Sequence, residues 1–233
     1  MPNILAIETS TAICSIVLWS ENKIIAQKDT CEHNAHSRLL TVMINDLFTE
    51  NNFDIKSLDA VAVSIGPGSY TGLRIGVSVT KGLCFGLSIP VITVDTLKAL
   101  TQQYLYKNPE IIKQKELLLC PMLDAKRMEV YTSLYTTNLE EIIPVSAIIV
   151  NETSFQDLLN KKQIIFFGSG AEKCKNIISS PNALFIDEIE PSAIGVAILA
   201  LELYNNKQFA DTAYFEPFYL KDFIAIKSTK KFF

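Results

Sequence analysis

The sequence predicts an α/β protein of two similar lobes, and three observations lead to this prediction. Short apolar runs near the start alternate with tight turns, which is typical of an antiparallel meander. Helical spacing and buried strands then alternate along the chain. The order of strands, a helix and a strand that enters a glycine loop occurs once in each half. The 233 residues suffice for two modest lobes, predicted at 1–107 and 108–233, with the last helix or tail packing back on the first.

In the first half, alternating or continuous apolar runs predict strands, and apolar residues at helical spacing predict helices. The predicted elements are strands at 4–8, 14–19 and 23–30, a helix from His36 to residue 50, a strand at 60–65, a helix at 71–87, a strand at 91–94 and a helix capped by Asp95. The segment from the fourth strand to the glycine-rich helix carries the most information about function.

The second half begins after a polar stretch at 108–116 and repeats this pattern. Its predicted elements are strands at 117–123 and 130–135, a helix opened by a capping box at 153–156, a strand at 163–167 that ends in a glycine turn, and an apolar helix at 192–204. The tail from Lys221 to Phe233 carries four lysines. It is interpreted either as a contact for RNA phosphates or as a solvated terminus.

Composition excludes several classes of protein. With 48% hydrophobic and 20% charged residues the chain is not disordered, and its apolar stretches are shorter than the ~18–20 residues of a membrane span. We expect a cytoplasmic protein, because no secretory signal is visible and the five cysteines are widely spaced. A net charge of −4 argues against nucleic-acid binding by bulk electrostatics alone. Two histidines, His33 and His36, exclude a site built from dispersed histidines.

Six of the nine glycines lie between Gly66 and Gly86. A strand, a glycine loop and a helix form a geometry that presents backbone N–H groups to an anion. The loop is not a Walker loop, because Lys81 lies deep inside the helix. A dinucleotide site stays open, since Asp95 stands where a ribose-binding acid would follow the next strand. A serine hydrolase is disfavoured, because Ser69 lacks the G-x-S-x-G elbow.

Two pairs of glycines, at 72/76 and 82/86, lie four residues apart on the predicted helix. Each glycine costs ~1 kcal/mol of helix stability relative to alanine. Four on one helix therefore predict close approach of another backbone, either the lobe's own sheet or a helix of another protein.

The glycine segment resembles the signature of the TsaB (YeaZ) family, bacterial proteins needed to make threonylcarbamoyladenosine in tRNA. The resemblance rests on Gly66-Pro67-Gly68-Ser69-Tyr70-Thr71-Gly72-Leu73-Arg74-Ile75-Gly76, with further matches at 4–10, 36–40, 81–83, 95–100, 124–131, 191–193 and 219–221. It covers nearly the whole chain. Two residues depart from the family pattern, since Glu8 stands for an aspartate and Arg38 for a glutamate.

The resemblance implies a two-lobed actin/Hsp70/sugar-kinase (ribonuclease H-like) fold, with mixed sheets that join an antiparallel meander to parallel βα units. It implies a non-catalytic subunit that activates a TsaD-type transferase, with a TsaE-type ATPase as a further partner, a homodimer when alone, and tRNA reached only through the complex. The catalytic relative holds its metal with two histidines four residues apart, and the matching residues here are Thr96 and Leu100. The chain itself is expected to require no cofactor.

The resemblance also suggests two sets of site residues. The predicted partner interface comprises His36, Leu39, Leu40, Met43, Leu47, Leu73, Ile75, Gly76 and Val77. The candidate nucleotide or anion contacts are Thr9, Ser10, Gly66, Gly68, Ser69, Gly168 and Gly170. Glu8 and Asp124 are interpreted as remnants of a kinase-like site or as carboxylates that stabilise the fold. The alternative function, a stand-alone nucleotide-dependent transferase or an NAD(P)-binding enzyme, stays open.

Overall fold

A computed structural model of the chain describes residues 1–32 and 35–221. The predicted roles of His33 and of the tail beyond Lys221 therefore lie outside the described residues. The strands are β1 (Ile4–Glu8), β2 (Cys14–Ser20), β3 (Lys23–Thr30), β4 (Ala60–Gly66), β5 (Val91–Asp95), β6 (Leu117–Asp124), β7 (Glu129–Thr136), β8 (Glu141–Ile149), β9 (Gln163–Phe167) and β10 (Ala183–Ile186). The helices are α1 (Ala35–Glu50), α2 (Tyr70–Leu87), α3 (Thr96–Lys107), α4 (Gln156–Leu159), α5 (Ala171–Cys174) and α6 (Ala193–Asn205).

The first sheet has the strand order β3-β2-β1-β4-β5. Strands β3, β2 and β1 are antiparallel, whereas β1, β4 and β5 are parallel. The sequence therefore predicted the meander and the βα units correctly. Strand β1 is buried on both faces, because Leu5 and Ile7 pack against α1 whereas Ile4 and Ala6 pack against α6. Burial on both faces explains why β1 is a continuous apolar run.

The second sheet repeats the arrangement in the order β10-β9-β6-β7-β8. Strands β6, β7 and β8 form an antiparallel meander, and β6, β9 and β10 are parallel. Helix α3 joins the two sheets: it packs against β4 and β5 of the first and against β6 of the second. Tyr104 of α3 stacks on Phe167 of β9 with ring centroids 4.7 Å apart.

Two parts of the second half differ from the sequence prediction. Thr153 and Ser154 do not form a capping box, because both interact with Asn151 in a turn that precedes the four-residue helix α4. Strands β8 and β10 were not predicted. Both lie at edges of the sheet and are largely half-buried or exposed. They are rich in apolar residues, but Pro144 interrupts β8 and β10 has only four residues, so neither gave a clear strand signal.

Helix α6 is attached to the first sheet by a buried serine. The Ala193 N–H at the start of α6 donates to Ser15 Oγ of β2 over 2.9 Å, and Ser15 Oγ lies 3.3 Å from Ser192 Oγ. Gly195 permits the backbone of α6 to touch the Ala99 carbonyl of α3. Although α6 is apolar throughout, no helix in residues 1–32 and 35–221 is long and apolar enough to cross a membrane.

Ser15→Ala tests this attachment. The substitution leaves the buried Ala193 N–H without an acceptor, so we expect the free energy of unfolding to fall by about 1–3 kcal/mol in urea denaturation. Ser57→Ala is the matched control, because the Ser57 hydroxyl bonds only to an exposed carbonyl of a short 3₁₀ turn. Equal midpoints for the two variants would contradict the role assigned to Ser15.

Candidate functional site: the glycine helix and its two faces

Helix α2 rests with its backbone on the turn that follows β1. A Cβ atom added to Gly68, Gly72 or Gly76 would lie closer than 3.0 Å to an atom of Thr9 or Ser10. The Ser69 N–H donates to the Ser10 carbonyl over 2.6 Å, and the Ser69 side chain caps α2 by accepting from the Gly72 N–H over 3.3 Å. These three glycines are therefore required by internal packing.

Glu8 lies beneath this contact, at the end of β1, and is fully buried. Its Oε1 accepts a hydrogen bond of 2.6 Å from the Ser10 N–H, which fixes the shape of the turn. Burial raises the pKa of Glu8, although hydrogen bonds from residues of the turn and from Ser64 oppose this effect. The carboxyl group is thus driven toward its neutral form and has no path to a ligand in this conformation.

The candidate anion contacts lie against the chain's own backbone. Thr9 and Ser10 are buried beneath α2, where the Thr9 hydroxyl has no hydrogen-bond partner among the described residues, and the Ser69 N–H donates to the Ser10 carbonyl. In the second lobe, Gly168 (φ +98°) and Gly170 pack closely on the backbone of Met122 and Leu123, and the Gly170 N–H donates to the Met122 carbonyl over 3.0 Å. Both glycine loops therefore serve close backbone packing, and binding of an anion by these residues stays a prediction.

Asp95, which the sequence offered as an acid that could bind a ribose, has a structural role instead. Asp95 is the N-cap of α3, and its carboxylate accepts from the Lys98 N–H over 2.8 Å. Burial raises the pKa of Asp95 to about 6. Its position after β5 is explained by the start of the next helix.

Most of the predicted interface residues lie inside the lobe. Leu40, Met43 and Leu47 of α1, together with Leu73 and Val77 of α2, are buried. The partner assignment of these five residues is corrected, because their side chains fill the chain's own core. Leu39 and Ile75 are half-buried against the same core, and Gly76 contacts Thr9. The His36 imidazole is half-buried, and its Nε2 lies 3.2 Å from the Ile13 carbonyl oxygen, so it orients the start of α1.

The C-terminal half of α2, beyond its contact with the turn, has an open face. We call Ser78, Gly82, Phe85 and Gly86 the open face of α2, since their spacing places them on one side of the helix. A Cβ atom added to Gly82 or Gly86 would meet no atom within 4 Å. Phe85 is 85% exposed. The second glycine pair in the sequence was the signal for this surface, because no internal contact requires it.

The C-terminal segment, which was expected to pack back on the first lobe, covers the loop end of α2. Beyond α6 the chain returns along α2: the Ala210 N–H donates to the Val91 carbonyl over 3.0 Å, and Lys81 Nζ donates to the Ala213 carbonyl over 2.9 Å. The Phe218 N–H then donates to the Ile65 carbonyl over 2.7 Å. Gly66 (φ +129°) is needed there, because the Phe218 carbonyl packs against it. The sequence did not identify these contacts with the glycine loop.

The second lobe contains a polar centre at the turn between β6 and β7. Lys173 of α5 donates to the Asp124 carboxylate, to the Arg127 carbonyl over 2.8 Å and to the Glu129 carbonyl over 2.7 Å. Partial burial disfavours the charged form of Asp124, but hydrogen bonds from Lys173 and the Lys126 N–H outweigh this effect and lower its pKa. Asp124 therefore organises the turn as an ion-pair partner.

The positions that match the metal ligands of the catalytic relative contain a buried threonine and a buried leucine. Thr96 and Leu100 both lie on α3 and have no exposed surface. Neither side chain is a common ligand for a transition metal. Within residues 1–32 and 35–221, no group of three or more His, Cys, Asp or Glu side chains could hold a metal ion.

Comparison with known sequences shows that most of the chain matches the family that the glycine segment resembles. Residues 22–225 match the sequence model of the family described as TsaD, tRNA N6-adenosine threonylcarbamoyltransferase. The tRNA threonylcarbamoyladenosine biosynthesis protein TsaB of Buchnera aphidicola subsp. Baizongia pistaciae is 31% identical over 222 residues, which cover 89% of this chain and 94% of that protein. The protein of the same name from Bacillus subtilis is 31% identical over 75% of this chain and 74% of its own length. The Escherichia coli relative is 33% identical over 132 residues, which cover 57% of this chain and 54% of that relative.

Solved structures agree with these relationships. YeaZ from Pseudomonas aeruginosa superposes with a TM-score of 0.81 and 25% identity over 94% of this chain and all of that chain. The activator of 2-hydroxyisocaproyl-CoA dehydratase from Clostridium difficile, solved with bound ADPNP, gives a TM-score of 0.51 at 9% identity over 88% of this chain and 97% of that chain, and shares the fold alone. The predicted two-lobed actin-like fold is confirmed.

The two faces of α2 predict opposite effects for the same substitution. Gly72→Ala places a methyl group against the Thr9 carbonyl, so we expect a loss of about 1–3 kcal/mol in the free energy of unfolding. In the monomeric chain, Gly82→Ala adds the same methyl group in open space and should gain up to ~1 kcal/mol through helix propensity, so both variants are compared at protein concentrations at which the chain is monomeric. Urea denaturation measures both, and a stabilising Gly72→Ala would show that the contact with the turn is not tight.

Glu8→Gln tests the buried carboxyl through its pH dependence. Because burial raises the pKa of Glu8 above the 4.5 of an exposed glutamate, the folded state binds more protons than the unfolded state between the two pKa values. The free energy of unfolding therefore falls as pH rises through that window. Glutamine cannot ionise, so the variant should lose this slope and gain stability relative to wild type at about pH 8 compared with about pH 5.

Asp95→Asn separates the pH dependence that Glu8 causes from the pH dependence that Asp95 causes. The pKa of Asp95 is about 6, so its own effect changes only below that pH, and this variant should keep the wild-type slope at higher pH. A Glu8→Gln protein whose stability follows that of wild type throughout the pH range would contradict a Glu8 with a raised pKa.

Proposed function

The chain belongs to the TsaB family of tRNA threonylcarbamoyladenosine biosynthesis proteins, and from this premise we propose that it acts in forming threonylcarbamoyladenosine in tRNA as a non-catalytic subunit. Its partner is a TsaD-type transferase, which it binds and supports. The modification takes place in the cytoplasm on the adenosine next to the anticodon, with a TsaE-type ATPase as a further component.

The open face of α2 is the observation that carries this proposal. Gly82 and Gly86 reduce helix propensity by ~1 kcal/mol each and have no internal neighbour. Glycines without a packing role inside the lobe suit the close approach of a helix from another protein. Phe85, 85% exposed beside them, supplies the aromatic anchor that protein interfaces favour.

The residues around the glycine loops support a non-catalytic role. In the catalytic relative, two histidines provide the metal site, and buried Thr96 and Leu100 offer no replacement for them. Glu8, which occupies the position of a kinase aspartate, lies sealed beneath α2. The chain thus keeps the fold of a nucleotide-dependent enzyme while its own backbone fills the phosphate-facing loops. Accordingly, no cofactor is required on this chain, and the metal belongs to the transferase.

The same face also accounts for a homodimer of the free chain. A two-fold axis beside α2 would place the open face of one copy against that of a second. Since one face cannot contact two partners at once, the homodimer and the complex with the transferase exclude each other. Adding the transferase should therefore convert the homodimer into a mixed complex.

Reconstitution tests the division of roles. The purified chain is incubated with tRNA, ATP and threonylcarbamoyl-adenylate, first alone and then with a TsaD-type transferase. Modified adenosine should form only when the transferase is present, and size-exclusion chromatography should show loss of the homodimer. Modification by the chain alone would overturn the proposal and favour the alternative of a stand-alone transferase.

Phe85→Glu tests the interface without disturbing the core. Because Phe85 is 85% exposed in the single chain, the variant should unfold at the same urea concentration as wild type when both are measured at protein concentrations at which they are monomeric. A charge in the centre of an apolar contact should weaken binding of the transferase by about 2 kcal/mol or more, which is roughly thirtyfold. Affinity is measured by titration of the transferase in a calorimeter.

Ile149→Glu provides the matched control, since Ile149 is a 71% exposed apolar residue on the other lobe. It should leave transferase affinity unchanged. Wild-type affinity in Phe85→Glu, or an equal loss in both variants, would mean that the open face of α2 is not the interface.

A further inference from the structure

The C-terminal segment links basic and aromatic side chains of both lobes: Tyr219 contacts Tyr70 of α2, and Lys221 forms an ion pair with Glu129 beside the turn between β6 and β7. We call Tyr70, Arg74, Lys126, Arg127, Tyr219 and Lys221 the inter-lobe cluster. None of them is required by the interface proposed above, and the predicted site residues do not include them. Tyr70 and Arg74 belong to the first turns of α2, and Lys126 and Arg127 form the tip of the turn between β6 and β7.

Three aromatic and guanidinium groups are stacked at one end of the cluster. The Arg74 guanidinium carbon lies 4.4 Å from the Tyr70 ring centroid, and the Tyr70 and Tyr219 rings lie 4.6 Å apart at an interplanar angle of 31°. Arg74 is exposed. A planar cation held flat on a ring is a surface on which a nucleobase stacks.

The other end of the cluster is a turn with excess positive charge. Glu129 forms an ion pair with Lys221, and Asp124 forms one with Lys173. Both carboxylates of this turn are thus paired with lysines. Lys126 and Arg127, at the tip of the turn, are exposed, and no described residue forms an ion pair with either. These two charges remain available to phosphate groups.

We propose that the inter-lobe cluster is a direct binding surface for a single-stranded segment of RNA, and this inference rests on the proposed function in tRNA modification. Tyr70 holds Arg74 and Tyr219 in place, these two outer members of the stack contact bases, and Lys126 and Arg127 contact the sugar-phosphate backbone. The chain carries a net charge of −4, so this attraction is local to the cluster. RNA held here lies beside the N-terminal turns of α2, the same helix that presents the open face to the transferase.

Binding of fluorescein-labelled tRNA to the full chain, followed by anisotropy at several salt concentrations, tests this surface. Removing two phosphate contacts in the double variant Lys126→Gln/Arg127→Gln should lower the affinity about tenfold and reduce the slope of log K against log salt by about 1–2. Tyr219→Leu should lower the affinity at every salt concentration and leave the slope unchanged, because stacking involves no counterion release.

Lys113→Gln/Lys115→Gln is the matched control. It removes two exposed lysines just before β6, at the opposite end of that strand and about 23 Å from the turn. Its tRNA affinity should equal that of wild type. An equal loss in the two double variants, or wild-type affinity in Lys126→Gln/Arg127→Gln, would overturn the proposal. Equal affinity for heparin and for tRNA would overturn it too, since it would show an unselective response to negative charge.

The transferase titration distinguishes failure of this inference from failure of the proposed function. Lys126→Gln/Arg127→Gln should bind the transferase as tightly as wild type. If it does so and still binds tRNA normally, only the RNA surface is refuted. If the wild-type chain binds no transferase, the proposed function is refuted, and with it the inference that depends on it.

Discussion

The contact between the backbone of α2 and the turn after β1 is the constraint on which the rest of the molecule depends. Three glycines at spacings of four residues let the helix touch the Thr9–Ser10 peptide unit directly, and Glu8 holds that unit from below through the Ser10 N–H. Because packed backbones leave no room for adjustment, this contact fixes the helix axis relative to the sheet. The direction of the open face and the stacking position of Tyr70 then follow from the helix axis.

The same contact explains how a kinase-like fold can lack a kinase-like site. In a phosphate-binding loop, glycines leave space and free N–H groups for the ligand. Here the space is filled by Thr9 and Ser10, and the Ser69 N–H is already donated. A glycine pattern in a sequence therefore reports close approach without identifying what approaches. The identity of the neighbour depends on the tertiary structure, which is why the sequence could not tell an anion from the Thr9–Ser10 turn.

The spacing of apolar residues predicted most of the central strands and the long helices, because an element that is buried on one or both faces carries apolar residues at regular intervals or in continuous runs. It failed for edge strands β8 and β10, whose side chains are half-exposed and whose apolar residues follow no strict alternation. It also misassigned Leu73 and Val77, since periodicity identifies an apolar face of a helix but not whether the lobe or a partner covers it. The contacts of the glycines distinguish the two cases. A glycine that has a neighbour within the lobe lies on the covered face, and a glycine that has no such neighbour lies on the exposed face.

Gly72 and Gly82 thus play opposite parts in one helix, and the side that carries Gly72 packs on the turn that follows Glu8. A carboxyl group at the end of β1 needs solvent or a cation only where a ligand reaches it. Once α2 seals the turn, the longer side chain can curl back to accept the Ser10 N–H and remain neutral, since burial raises its pKa. Glu8 then fixes the shape of the turn and does not contact a ligand. The surfaces that we propose for recognition lie on the outside of the chain. They are the open face of α2 and the inter-lobe cluster.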